Sequence, residues 1–416
     1  MPLLLLTVFL ACSRAPEPVG RVLLVGIDGA APELMRSLGE RGRIPNLRGI
    51  ADAGLFVPLR SSPPYLSPRL WNTIATGKVP AKHGIHAFTR FEGDRQVLLL
   101  SSDRKVHALW NIASDAGLRV AVINWWNTFP PERINGVMVS DHALSGRRDR
   151  LRSLTGATDE TSGPTVHPEA WSTRLAELVD DDTSPVEFAD PFSIAEGFPD
   201  YVETSRLSEF FREDAAIARI ALAAEEEYRP DLLMVLFPGI DRVSHWLWGS
   251  LEPAELYAER LRPTAAQLKR SSAALEAYYE YTDALIGALM RSFSDEDLVL
   301  VVSDHGFERA SAESVLSGVH WSNEARDGVL FARGRGITRR ASEVRVTIVD
   351  VTPTVLSWLR LPRALDMDGA AAPFLVAEAR EPVATYDTKT IHRIGSSRSA
   401  AEETILENLR ALGYIE

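Results

Sequence analysis

The sequence predicts an α/β fold, a three-layer sandwich in which helices cover both faces of a mainly parallel central sheet. Three apolar runs of strand length, rich in Val, Leu and Ile, occupy residues 21–28, 231–241 and 297–305. None of them alternates apolar with polar residues, which is typical of strands buried on both faces of a parallel sheet. Helical patterns at residues 206–228 and 253–292 precede the second and third runs.

Length, charge and cysteine content limit the possible classes of protein. The chain has 416 residues, enough for one large α/β domain with insertions. Its formal net charge of -12 argues against binding to a nucleic-acid polymer, which requires a basic surface. Because the chain contains a single cysteine, Cys12, no disulfide can form within it, and a metal site would need His, Asp or Glu.

Each apolar run ends near a carboxylate, and histidines follow at short spacing. The acids are Asp28, Asp241 and Asp304, and the histidines are His245, His305 and His320. The carboxyl ends of strands in open α/β sheets form one edge, where ligands bind. Carboxylates brought together there repel one another unless a cation lies between them. Mixed oxygen and imidazole donors favour Zn²⁺, with Mn²⁺ or Fe as alternatives, over Mg²⁺ or Ca²⁺.

The N-terminus resembles an export signal. Residues 1–11 are apolar but too few to span a bilayer as a helix, and Cys12 follows a Leu-Ala pair as in a bacterial lipobox. No Lys or Arg precedes this run, and Phe9 is unusual for the motif. We expect residues 1–18 to be a leader and tether, with a lipidated Cys12 holding a periplasmic protein at the membrane. The alternative is a frayed terminus of a cytoplasmic protein.

The remaining elements follow from local patterns. The catalytic core is predicted at residues 19–145 and 200–395, with an insertion over 146–199, where composition shifts towards Arg, Asp, Ser, Thr and Pro. We place that insertion near the candidate site. The sequence predicts a helix and then a strand over residues 105–124. It also predicts a strand over residues 328–333, and a strand followed by a helix over residues 346–359. Residues 396–416 predict a C-terminal helix.

Ser67 begins a predicted helix. Prolines precede it, Pro68 follows it, and this combination is typical of a helix N-terminus. Ser67 is therefore either a simple helix cap or a nucleophile placed where helix N–H groups assist anion binding. Trp125, Trp126 and Phe129, which follow another strand, either line a pocket or belong to the core.

Several motifs together resemble the alkaline phosphatase superfamily, in its type I phosphodiesterase/nucleotide pyrophosphatase-like branch. They occur in the order typical of the family and extend over almost the whole chain. The motifs are Gly26-Ile27-Asp28-Gly29, Pro45-Asn46-Leu47, Ser67 ten residues before Gly77, His83-Gly84-Ile85, Asp241-x-x-x-His245, Ser303-Asp304-His305-Gly306 and Gly318-x-His320.

The resemblance implies an alkaline phosphatase-like fold and a two-zinc hydrolase that acts on small phosphate esters. It implies that Asp241, His245 and His320 hold one ion. Asp28, Asp304 and His305 would hold the other, which Ser67 would also contact. Ser67 would become phosphorylated during turnover, since a nearby cation lowers the pKa of a serine hydroxyl. The expected activity is that of a phosphodiesterase.

The sequence departs from this family pattern around the nucleophile. The usual nucleophile is Thr, and the next backbone N–H helps to bind the phosphoryl oxygen, but Pro68 has no N–H. A supporting Asn is absent after the His-Gly-Ile motif. Arg69, Asn72 and His86 are the substitutes that we consider as substrate-binding residues.

Other functions remain open from the residues alone. A phosphomonoesterase would share the metal ligands, and a non-catalytic envelope binding protein would share the fold. A sulfatase is disfavoured, because its modified Cys or Ser lies two residues before Pro and four before Arg, unlike Ser67. A cofactor-independent phosphoglycerate mutase would need a larger inserted domain than residues 146–199 provide.

Overall fold

The computed structural model describes residues 20–144, 162–338, 345–376, 378 and 380–415. Cys12, with the leader that we expect around it, lies outside these residues, and so does the first part of the predicted insertion. None of the helices in the described part of the chain is long and apolar enough to cross a membrane.

A nine-stranded sheet forms the centre of the molecule, in the order β13-β2-β12-β9-β1-β8-β5-β6-β7. The five consecutive strands from β9 to β6 are parallel, while β12 and β7 pair antiparallel with their neighbours. β3 and β4 form a separate hairpin, as do β10 and β11. The strands are β1 Val22–Ile27, β2 Leu55–Arg60, β3 Thr89–Glu92, β4 Arg95–Leu98, β5 Val120–Ile123, β6 Gly136–Val139, β7 Val166–His167, β8 Leu232–Phe237, β9 Leu298–Val302, β10 Glu308–Arg309, β11 Gly318–Val319, β12 Asp327–Arg333 and β13 Val346–Thr347.

Helices cover both faces of this sheet, so the predicted three-layer α/β fold is confirmed. Helices α1, α2 and α6 to α9 pack on one face, and α3, α5 and α10 pack on the other. The helices are α1 Pro32–Glu40, α2 Pro45–Ala53, α3 Ser67–Thr76, α4 Pro80–His83, α5 Leu109–Asp115, α6 Ser172–Asp180, α7 Thr204–Tyr228, α8 Gly239–Leu247, α9 Ala265–Met290, α10 Val351–Trp358 and α11 Glu402–Ala411.

The central strands are apolar throughout because each contributes to two cores. In β1, Leu23 and Val25 belong to the core on one face, while Val22 and Leu24 belong to the core on the other. All six residues of β1 and of β8 are buried. Burial on both faces explains why these runs show no alternation of apolar and polar residues.

Two local predictions need correction. The second apolar run is not one strand as far as Asp241, because β8 ends at Phe237 and α8 begins at Gly239. Pro238 interrupts the strand, since proline lacks the N–H that a ladder requires. Residues 253–292 do not form several long helices. Short 3₁₀ turns precede the single helix α9, which Thr264 caps by accepting a hydrogen bond from the Gln267 N–H at 3.2 Å.

The predicted insertion and C-terminal helix are in contact. The described part of the insertion contributes β7, at one edge of the sheet, and α6, which packs on α7. The Gly163 N–H donates to the Arg398 carbonyl at 2.9 Å, shortly before α11 begins. The boundaries of the insertion remain a prediction.

Candidate active site and metal-binding residues

Three acids and His305 meet at the carboxyl edge of the sheet. Asp28 directly follows β1, Asp304 lies two residues after β9, and Asp241 lies in the first turn of α8. His305 Nε2 is 3.4 Å from Asp28 Oδ1, 3.6 Å from Asp304 Oδ2 and 3.9 Å from Asp241 Oδ1. All four side chains are buried. The fold therefore concentrates acidic groups where ligands bind in parallel α/β sheets.

Two sets of side chains could each hold a metal ion. Asp28, Asp304 and His305 form one set, and Asp241, His305 and His320 form the other, each with donor atoms within 4.8 Å of one another. The resemblance places His245 in the second set, and His245 Nε2 lies 3.6 Å from Asp241 Oδ1. His305 thus lies between the two sets.

The backbone hydrogen bonds of two histidines use Nδ1, so Nε2 faces the acids. His245 Nδ1 donates to the Gly318 carbonyl at 2.9 Å, and His305 Nδ1 donates to the Gly306 carbonyl at 2.9 Å. A carbonyl oxygen only accepts, so Nδ1 carries a proton in both rings, and Nε2 is the nitrogen that would bind a cation once it is deprotonated. Metal-binding histidines have this arrangement.

Buried negative charge at the site also fits a cation. Burial and the charge of Asp28 raise the pKa of Asp304 well above its usual value. Burial and Asp28 also raise the pKa of Asp241 to about 7. Burial opposes a charge on His305, but Asp304 and Asp28 outweigh it and raise its pKa to about 10. Asp304 Oδ2 and His305 Nε2 have no hydrogen-bond partner in the described part of the chain.

These residues therefore fit divalent ions of the zinc type. A buried carboxylate oxygen without a donor is costly unless a cation compensates its charge. The donor atoms are carboxylate oxygens and imidazole nitrogens, and such a set suits Zn²⁺, Mn²⁺ or Fe.

Ser67 is directed into the same site. It is the first residue of α3, it is buried, and its Oγ donates to Asp28 Oδ1 at 3.2 Å. Leu66, not Ser67, occupies the cap position of α3, and no side chain caps this helix. Ser67 therefore does not serve as the helix cap, and its hydroxyl is oriented by Asp28.

Two tryptophans hold the other oxygen of Asp28. Trp71 Nε1 and Trp126 Nε1 both donate to Asp28 Oδ2, at 3.1 and 3.2 Å. Burial would raise the pKa of Asp28, but His305 and these two indoles lower it below its usual value. Asp28 is thus held as a carboxylate, while Trp125 is part of the core.

The three candidate substrate-binding residues lie outside the cavity beside Ser67. Arg69 donates to the carbonyls of Ser62 and Pro64, at 2.6 and 3.1 Å, and so holds the preceding loop. Asn72 is buried and donates to Asn127 Oδ1 at 2.7 Å. His86 is exposed.

The cavity beside Ser67 has a volume of about 60 Å³ and contains residues that the sequence did not single out. Asn124 and Asn127 line it with φ angles of 59° and 57°, a conformation that asparagine adopts more readily than most residues. Arg242 is the only Lys or Arg among the described lining residues, and Glu213 Oε2 accepts from it at 2.6 Å. The apolar lining residues include Phe88, Leu98, Leu99, Trp126, Ile405, Leu409 and Leu412.

Tyr414 was also missed, because it is far in sequence from the residues that it contacts. Its hydroxyl oxygen lies 2.8 Å from both His245 Nε2 and His320 Nε2. The same oxygen lies 3.1 Å from Asp241 Oδ2. No local pattern in the sequence could indicate a contact across 169 residues.

The fold is alkaline phosphatase-like, and its site brings buried acids and histidines together beside Ser67. The chain matches the model of the type I phosphodiesterase/nucleotide pyrophosphatase family over residues 22–363 and belongs to that family. No curated protein matches it in sequence.

Solved structures with a similar fold share little sequence identity with this chain. A putative sulfatase from Bacteroides thetaiotaomicron VPI-5482 has a TM-score of 0.54 at 13% identity, covering 88% of this chain and 76% of its own. A mutant of the alkaline phosphatase PafA has a TM-score of 0.51 at 11% identity, and the match covers 88% of this chain and 98% of the PafA chain. Phosphonoacetate hydrolase from Sinorhizobium meliloti 1021 has a TM-score of 0.45 at 19% identity, covering 71% of this chain. The match spans only 58% of that hydrolase.

Proposed function

We propose that the protein hydrolyses phosphodiesters, with Ser67 as the nucleophile. The observation that carries this proposal is the contact between Ser67 Oγ and Asp28 Oδ1, at 3.2 Å and beside both candidate metal sets. Membership of the type I phosphodiesterase/nucleotide pyrophosphatase family supports it.

The proposed reaction has two displacements at phosphorus. In the first, Ser67 Oγ loses its proton and bonds to phosphorus as the bond to the leaving alkoxide breaks. The leaving oxygen takes up a proton, and the phosphoryl group on Ser67 keeps the second ester group. In the second, water attacks that phosphorus, releases Ser67 and yields the monoester. Asp28 orients the hydroxyl for the first step, and Trp71 and Trp126 keep the Asp28 carboxylate in place.

The chain would hold two divalent ions, most simply Zn²⁺. We assign Asp28, Asp304 and His305 to one ion, with Ser67 beside it, and Asp241, His245 and His320 to the other. When bound, such ions lower the pKa of a hydroxyl and stabilise the charge on attacking and leaving oxygens. His245 Nδ1 and His305 Nδ1 fix their rings through backbone carbonyls, at 2.9 Å in both cases.

The lining of the cavity favours a diester over a monoester. A monoester dianion carries one more negative charge than a diester, so an unpaired cationic side chain beside the site would favour the monoester. Arg242 is the only Lys or Arg among the described lining residues, and it is already paired with Glu213 at 2.6 Å. The apolar wall next to Ser67 offers contacts for a second ester group instead.

The test is the hydrolysis of bis-p-nitrophenyl phosphate and of p-nitrophenyl phosphate, with added Zn²⁺ and with a chelator. We expect a zinc-dependent preference for the diester. Preference for the monoester would instead indicate a phosphomonoesterase. Zinc-loaded protein without activity on either ester would contradict the proposal.

Ser67 variants test the nucleophile. Ser67→Ala should lower kcat by about 10³-fold or more while zinc content stays constant, because the side chain that forms the new bond is lost. Ser67→Thr should retain a measurable part of the activity, and Ser62→Ala, in the exposed loop before α3, is the matched control. Full activity of Ser67→Ala would exclude this serine as the nucleophile.

We also propose export to the periplasm and membrane attachment through a lipidated Cys12. The proposal rests on the apolar residues 1–11 and on the position of the single cysteine. Radiolabelled palmitate should be incorporated into the natural protein expressed in a bacterium and not into Cys12→Ala. Equal labelling of both proteins would contradict lipidation at this residue.

A further inference from the structure

We propose that Tyr414 is an internal competitor of the substrate. Its hydroxyl occupies the position next to Asp241 and the two histidines that an oxygen of the phosphate ester must take. This inference rests on the proposed function, because it concerns the same site. It predicts that the substrate displaces the C-terminal segment, residues 401–415, when it binds.

The geometry of the Tyr414 hydroxyl carries the argument. The oxygen is 2.8 Å from His245 Nε2, 2.8 Å from His320 Nε2 and 3.1 Å from Asp241 Oδ2. Zinc ligand atoms lie about 2.0–2.2 Å from the ion. An ion held by these three side chains would therefore lie beside the hydroxyl, which approaches them from the cavity. A catalytic ion needs that remaining coordination position for water or substrate.

The backbone and neighbouring rings direct Tyr414 into the site. Gly413 has φ +76°, a value that glycine adopts without strain, and the Tyr414 N–H donates to the Leu409 carbonyl at 2.9 Å. This turn reverses the chain after α11. The Tyr414 ring then packs 4.5 Å from Phe88 and 5.9 Å from Trp321, measured between ring centroids.

The C-terminal segment packs outside the two main cores, so it can leave without unfolding the sheet. It packs on a small apolar cluster, separate from the two main cores, whose buried members are Phe88, Leu98 and Leu409. Glu402 of this segment forms an ion pair with Arg95 at 3.3 Å, and the Arg95 side chain is 73% exposed. Exposed ion pairs contribute little stability, and locally packed segments open most easily.

The C-terminal segment narrows the cavity beside Ser67. The segment contributes Ile405, Asn408, Leu409, Leu412 and Tyr414 to the cavity wall, and about 60 Å³ remains. That volume accommodates roughly four or five water molecules. Movement of the segment would widen the space next to Ser67 for the second organic group of a diester.

The test compares binding of inorganic phosphate to zinc-loaded wild-type protein and to Tyr414→Phe by titration calorimetry. We expect phosphate to bind the variant about fivefold to tenfold more tightly, since the competing hydroxyl is gone. Leu409→Ala keeps the hydroxyl but weakens the attachment of α11, so it should also tighten phosphate binding. Tyr386→Phe is the matched control, because Tyr386 Oη donates to the Pro362 carbonyl at 2.7 Å, on another part of the surface.

Displacement has a second readout that does not depend on turnover. Phosphate should increase tryptic cleavage at Arg410, within α11, in the wild-type protein.

Equal phosphate affinities in wild type and both variants, or phosphate binding in none of them, would overturn the inference. Weaker phosphate binding and faster loss of zinc in Tyr414→Phe would also overturn it, because Tyr414 would then support the site. If phosphate binding changes as expected but no ester is hydrolysed, the proposed function fails and the competition by Tyr414 stands.

Discussion

The Trp126 indole N–H donates to Asp28 Oδ2 at 3.2 Å, so a residue of the cavity wall holds the acid that orients Ser67. Trp71 donates to the same oxygen at 3.1 Å from within α3. Two indole donors on one oxygen leave Oδ1 to accept from the serine. This relationship links the wall of the cavity to the orientation of the proposed nucleophile, Ser67.

Replacing Trp126 should therefore impair turnover more than folding. We expect Trp126→Phe to lower kcat/KM for bis-p-nitrophenyl phosphate about tenfold, because a hydrogen bond to a charged group is lost. Trp171→Phe is the matched control, since its indole N–H donates to Glu227 Oε2 at 2.7 Å, away from the cavity. Equal kcat/KM values for the two variants would show that the Trp126 indole N–H does not support Asp28.

Much of this site could be predicted from sequence because its residues directly follow strands. Asp28 and Asp304 lie at the sheet edge, as the sequence predicts, because their apolar runs stop within two residues of the end of the strand. Asp241 was assigned to the end of a strand, whereas it lies on α8, because an apolar run alone does not reveal where strand becomes helix. The helix still brings Asp241 to the same edge.

The remaining part of the site depends on contacts that sequence does not encode locally. The sequence leaves two roles open for Trp126, as a pocket residue or as a core residue, and only the fold decides between them. Tyr414 reaches His245 because α11 folds back over the cavity. The positive φ angles of Asn124 and Asn127 likewise result from tertiary structure.

Stability should fall in acid because of His83. Burial and the nearby charge of Arg104 lower the pKa of His83 to about 3, whereas an unfolded chain has a value of about 6.5. Between these pH values the unfolded chain binds a proton that the folded protein does not. The contribution of His83 to stability is therefore complete above about pH 6.5 and decreases as pH falls towards about 3.

The measurement is urea unfolding at pH 7 and pH 5, in the presence of chelator, for wild type and His83→Asn. Between pH 7 and pH 5, the free energy of unfolding should fall in both proteins. We expect the fall to be larger in the wild type than in His83→Asn, by up to about 2 kcal/mol. Identical losses in the two proteins would mean that His83 is protonated in the folded state at pH 5.

The buried ion pair between Arg104 and Glu132 should be essential for stability. Both side chains are fully buried, and Glu132 also accepts from Trp110 Nε1 at 2.7 Å and from Asn111 Nδ2 at 2.8 Å. Glu132→Ala leaves a buried arginine without its partner and should cost about 3–5 kcal/mol in urea unfolding at pH 7.

An exposed ion pair provides the comparison for Glu132. Arg260 and Glu313 are 61% and 70% exposed, and Glu313→Ala should cost less than about 1 kcal/mol. A loss below about 1 kcal/mol for Glu132→Ala would show that the structure relaxes to expose or pair Arg104.

Removal of metal should destabilise the folded protein. The carboxylates of Asp28, Asp241 and Asp304 are buried close to His305, and a bound cation would compensate their mutual repulsion. We expect chelator to lower Tm by about 5 °C and added Zn²⁺ to restore it.

Calcium serves as the control for zinc, because it prefers more oxygen ligands than this donor set provides. It should restore little of the lost stability. In His305→Ala the difference between the Tm values with chelator and with Zn²⁺ should shrink, since His305 belongs to both sets. An unchanged difference in that variant would contradict the assignment of His305.

The position of β1 at the centre of the sheet has a consequence for synthesis of the protein. Its two neighbours, β8 Leu232–Phe237 and β9 Leu298–Val302, both lie more than 200 residues later in the chain. On the ribosome, the fully apolar β1 emerges long before either partner exists. Such a nascent chain exposes an unpaired strand for many seconds at typical elongation rates of about 5–20 residues per second. The same arrangement that unites Asp28 with Asp304 therefore leaves β1 without its neighbours until β8 and β9 have been made.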